Sequence, residues 1–156
     1  MALKGDRQEN ITDISFFMDA TGDRGGVVCY KTVGSGAALD QAEAEVEYKA
    51  TATGTNRPVG LLLNDVVNKD LTQTHLNYYK NEVQQGSKVT ILRDGWVVTN
   101  MLAGTGITPA VGELAYVAQS GMLSNSAAGG VNIQVGEWMS SKDEDGYAKV
   151  YVKLPM

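Results

Sequence analysis

The chain has 156 residues, 43% hydrophobic and 20% charged, with a formal net charge of −5. That length and balance describe one globular domain with room for an appended segment, and exclude a disordered tail. The 13 basic residues are scattered and there is one cysteine, which excludes a clustered phosphate-binding footprint and an internal disulfide.

The opening residues Met1 to Arg7 carry no apolar signal core, which predicts synthesis in a cytoplasm without secretion by the usual route. No apolar run approaches the roughly 18 residues of a membrane span. Polar residues Lys4 to Thr12 lead into the apolar patch Ile14-Ser15-Phe16-Phe17-Met18, and Thr21 to Gly26 breaks the pattern. Either the patch closes a strand onto the domain or it belongs to an arm that docks on another chain; the residues alone leave both open.

From Val27 the chain reads as strands. Val27 to Lys31 is a short apolar run in which Cys29 reads as a small buried hydrophobe and not a reactive thiol. Val46, Tyr48, Ala50 and Ala52 alternate with charged and hydroxyl residues, a period of two that favours a strand. Val59 to Leu63 is too short for a helix and predicts a buried strand. Asn68 to Gln85 is polar with scattered apolar residues and reads as one irregular helix or a long loop. Lys88 to Leu92 and Trp96 to Thr99 flank Arg93-Asp94-Gly95, which predicts a hairpin turn. Glu113 to Ala118 and Val131 to Gly136 follow as strands. Lys142 to Gly146 turns into a last strand, with Ala148, Val150, Val152 and Leu154 on one face and Tyr147, Lys149, Tyr151 and Lys153 on the other. Short strands, close turns and 18 glycines predict a mainly β fold, a small β-barrel or β-sandwich.

The residues offer no catalytic constellation. His75 is the single histidine and no nucleophile elbow accompanies it; one Cys and one His cannot supply a usual zinc site. Asp143-Glu144-Asp145-Gly146 lacks the spacing of a calcium loop and reads as a solvated hairpin. Trp96 and Trp138 read as core or interface aromatics and not as a sugar platform. The expectation is a protein that is not an enzyme and has no cofactor.

Four pieces stand in a telling order: Arg57-Pro58-Val59-Gly60-Leu61-Leu62; Gly86 through the Asp94-Gly95 pair to Val98; Thr108-Pro109-Ala110-Val111-Gly112-Glu113-Leu114-Ala115-Tyr116; and Gly136-Glu137-Trp138-Met139 on to Val152. In this order the chain resembles the capsid decoration (cement) proteins of tailed bacteriophages over about two-thirds of its length; Asn68 to Gln85 goes beyond the pattern. The resemblance implies a β-domain on the outer surface of an icosahedral head, assembled in the host cytoplasm. It further implies bracing of neighbouring major capsid protein subunits, commonly as a trimer, with neither nucleic acid nor membrane as partner. Under it, residues 1–25 are expected to be an extended N-terminal capsid-binding arm and residues 26–156 the decoration domain. The expected contacts are Ile14, Phe16, Phe17 and Met18, then Tyr78 and Tyr79. The rivals are a tail-tube or head–tail joining protein, a β-barrel enzyme or ligand binder, and a glycan-binding head projection.

Overall fold

The computed structural model describes residues 3–31, 45–49, 57–65, 82–104 and 106–155. Their strands in chain order are β1 (Leu3–Met18), β2 (Gly22–Asp23), β3 (Val27–Tyr30), β4 (Glu45–Glu47), β5 (Pro58–Asp65), β6 (Glu82–Val83), β7 (Lys88–Thr99), β8 (Leu114–Val117), β9 (Leu123–Ser124), β10 (Ile133–Trp138) and β11 (Ala148–Lys153). Nine of them form one sheet in the order β1-β4-β3-β5-β7-β11-β10-β8-β9, and β1 also pairs with β7. The pairings β1–β4–β3–β5–β7–β1 therefore close into a circuit, from which β11, β10, β8 and β9 continue as an open sheet. The fold is mainly β, as the sequence predicts. Among the described residues no helix is long and apolar enough to cross a membrane.

The run Val59-Gly60-Leu61-Leu62-Leu63 explains how the two halves are joined. Side chains of a strand alternate in direction, and here both directions are apolar. Leu62 points into a cluster with Phe16, Met18, Val28, Val46 and Ile91 inside the closed circuit. Leu61 and Leu63 join the larger cluster with Val97, Leu123, Val135, Trp138 and Val150 beneath the open sheet. A strand apolar on both faces is a strand buried on both faces; each of these leucines contributes about 1.5–3 kcal/mol by leaving water. β3 divides the same way, with Val27 and Cys29 in one cluster and Val28 in the other.

β11 follows its period-two pattern: Ala148, Val150, Val152 and Leu154 are buried, while Lys149 and Tyr151 are half-buried and Lys153 is exposed. The expected turn at Arg93-Asp94-Gly95 does not form. β7 runs unbroken from Lys88 to Thr99, its first half between β1 and β5 and its second between β1 and β11. Asp94 does not cap a turn: its carboxylate accepts hydrogen bonds from the Tyr151 hydroxyl and, at 3.3 Å, from Asn10 Nδ2. Gly95 has φ +151°, and a Cβ there would lie 2.1 Å from the Gln8 carbonyl oxygen. The glycine lets β1 approach; it reverses nothing. Residues 50–52 of the predicted strand, the segment Asn68 to Asn81 and His75 lie outside the described residues.

Candidate interaction surface

Among the described strands β1 is the longest, and ten of its 16 residues are exposed. From Leu3 to Phe17 it pairs antiparallel with β7, and Phe17 and Met18 pair with β4. The structure thus builds the N-terminal patch into the sheet as a strand of the domain. Of the expected contact residues, Phe16 (8% exposed) and Met18 (2%) point into the closed circuit, whereas Ile14 (51%) points out. Phe17 is half-buried, with the Lys88 ammonium 5.7 Å from its ring centroid. Tyr78 and Tyr79 lie outside the described residues.

The exposure of Ile14 has a local cause. Asp13 Oδ1 accepts hydrogen bonds from the Ser15 backbone N–H (2.8 Å) and hydroxyl (2.5 Å), a local side-chain-to-backbone turn. The β1–β7 register shifts between Asp13 and Phe16. That bulge turns Ile14 outward while Phe16 stays in the core. Ile11, 56% exposed, flanks another register shift and joins Ile14 as an apolar side chain on this strand. Sequence reasoning missed Ile11 because it stands alone among polar residues.

The edge of β1 away from β7 is guarded in its first half. Asp6, Arg7 and Glu9 are charged, Arg7 Nε lies 2.6 Å from Glu9 Oε1, and the register shifts four times along the strand. Charges and bulges are what keep an exposed edge from recruiting another strand. What β1 presents to solvent besides polar groups is the pair of apolar side chains Ile11 and Ile14. Behind them the strand is held firmly. Trp96 Nε1 donates to Gln8 Oε1 at 3.0 Å, the Lys149 ammonium sits 3.6 Å over the Trp96 ring, and Arg93 Nε approaches Asp13 Oδ2 at 3.9 Å.

Among the described residues the remaining candidate groups have structural surroundings that explain them. Cys29 is fully buried and desolvation pushes its thiol up to about 12, against a smaller opposing effect of Lys49. Tyr48 is held above its usual range, first by burial and then by Asp23, and its hydroxyl donates to the Asp23 carbonyl. Asp143 Oδ1 accepts from the Tyr147 N–H at 2.8 Å, so that acidic stretch is a hairpin turn. Trp138 is buried and has no face to offer a sugar; the Trp96 ring is covered by Lys149. Among the described residues no three His, Cys, Asp or Glu side chains gather as metal ligands.

Residues 6–153 match the phage cement family model, described as "Structural cement protein (E217 gp24/Pam3 gp6)". No curated protein matches the chain.

Proposed function

Because the chain belongs to the structural cement protein family of phages, a capsid-associated structural component of the virion, we propose that it binds the outer surface of the head and braces neighbouring major capsid protein subunits as a trimer. Residues 1–25 carry the capsid-facing contacts in this reading, in the form of strand β1 and the turn after it. The observation that carries it is the outward pair Ile11 and Ile14 on a strand otherwise locked to β7. Isolated exposed hydrophobes are ordinary. Two on one strand, one of them turned out by a dedicated Asp13–Ser15 bulge, favour a contact that is dry when occupied. Phe17 lies half-buried further along the strand, while Phe16 and Met18 support it from the core. A contact repeated over a shell multiplies a modest affinity at each site.

The test is substitution and not truncation, since removing residues 1–25 would delete Leu3, Phe16 and Met18 from the two clusters. Ile14→Asp removes no core contact, so its unfolding midpoint should match the parent's within about 0.5 kcal/mol. Its binding to heads grown without this protein should fall at least about tenfold, the effect of losing roughly 1.4 kcal/mol. Full occupancy by folded Ile14→Asp protein on such heads would refute the β1 assignment.

A further inference from the structure

Where β7 passes from the closed circuit to the open sheet, the two halves part to leave a cleft of about 650 Å³. Its lining includes the apolar Ile133, Leu154 and Pro155 together with Tyr30, Arg57 and Arg93. In a chain of net charge −5, the only charged side chains among the described lining residues are these two arginines.

The cationic side is built and held. Arg93 Nη1 donates to the Val59 carbonyl at 2.8 Å, and the Arg93 carbonyl accepts from the Leu154 N–H at 2.7 Å. The Arg57 carbonyl accepts from the Tyr30 N–H at 2.9 Å, which fixes the backbone beneath the Arg57 guanidinium. Tyr30 packs edge-on against Phe16, with ring centroids 5.8 Å apart and planes at 66°, yet stays 38% exposed. No described residue engages the Arg57 guanidinium or the Tyr30 hydroxyl. Guanidinium donors match a carboxylate in geometry as well as in charge, and the apolar lining suits the residues flanking it.

We propose that this cleft is a second docking site, which takes a Glu or Asp side chain presented between apolar residues by an extended segment of a neighbouring coat subunit. The inference rests on the capsid-binding reading above; its free donor among the described residues is Arg57, since Arg93 Nε already lies 3.9 Å from Asp13 Oδ2 beside the Ile14 bulge.

Heads grown without this protein provide the assay. Arg57→Glu, whose parent guanidinium makes no hydrogen bond or ion pair with a described residue, should fold with an unchanged thermal midpoint and bind about tenfold more weakly or worse. Arg57→Gln should fall between the two, and both should show a shallower salt dependence than the parent. Protein carrying p-benzoylphenylalanine in place of Tyr30, irradiated on the heads, should crosslink to a coat peptide that contains Glu or Asp. Parent-like binding by Arg57→Glu overturns the proposal. So does a crosslinked peptide without an acidic residue, or one that belongs to a second copy of this chain. If Ile14→Asp loses binding while Arg57→Glu keeps it, the cleft is refuted and the capsid reading stands; if both bind like the parent, the capsid-binding surface lies elsewhere and both assignments fall.

Discussion

Asp94 shows how a single side chain is reassigned by its neighbours. The Tyr151 hydroxyl and then Asn10 Nδ2 donate to its carboxylate and hold it below the usual carboxylate range, against a smaller opposing effect of burial. A carboxyl depressed in the folded state adds stability that is fully present above its unfolded value, near 3.9, and is lost as pH falls through the folded value. Tyr151→Phe should raise the Asp94 carboxyl towards its ordinary range, as read by carbon-detected NMR titration; an unmoved titration would show that the phenol is not the cause. Gly95 is the neighbouring test of backbone geometry. Gly95→Ala combines φ +151° with a Cβ 2.1 Å from the Gln8 carbonyl oxygen; it should cost about 3 kcal/mol or more in urea unfolding, in the range of mutations that break a special backbone position. Gly146→Ala, at φ +86° with open space around the new Cβ, should cost only about 1–2 kcal/mol, the ordinary left-handed penalty. Cys29, with its thiol pushed up to about 12, should resist an aromatic disulfide reagent at pH 8 until the protein unfolds. Modification of the native protein at the rate of a free thiol would mean that the strand opens locally.

At the scale of the element, legibility depended on whether a local pattern has one physical meaning or two. β11 was legible because Ala148, Val150, Val152 and Leu154 alternate with polar neighbours and a half-buried strand is what that period describes. β5 was legible because five short apolar residues without helical spacing fit a strand buried on both faces. Arg93-Asp94-Gly95 was not, because a glycine that tolerates positive φ serves a hairpin turn and a close strand approach equally well, and only the position of Gln8 on β1 distinguishes them. The same limit governs the candidate surface. Ile14 to Met18 is one apolar patch in sequence, but the Asp13–Ser15 turn splits it, sending Ile14 out and Phe16 in. Period-two alternation around a bulge cannot be phased without knowing that the bulge exists. The Arg57–Arg93 cleft was illegible for another reason: its two cations are 36 positions apart in the chain and meet only because β5 pairs with β7.

At the scale of the whole molecule, the described residues bury two apolar clusters that share their walls. Leu61 and Leu62 are consecutive yet belong to different clusters, as do Val27 and Val28 on β3 and Ile91 and Leu92 on β7. Unfolding the closed circuit would strip β3, β5 and β7 from the open sheet and expose one side of its cluster, so neither half can melt while the other keeps its packing. In that arrangement force applied at β1 reaches β7 and from it both halves, as the proposed bracing role requires. It predicts one calorimetric transition, with equal van't Hoff and calorimetric enthalpies. Leu62→Ala in the circuit and Leu123→Ala under the far end of the sheet should each cost about 2–5 kcal/mol. At about 2–4 °C per kcal/mol for a chain near this size, each should lower the single midpoint by roughly 5–15 °C without splitting it. If Leu123→Ala instead produced an early transition followed by a second at the parent's midpoint, β5 and β7 would not couple the halves. A push on β1 would then stop at the circuit.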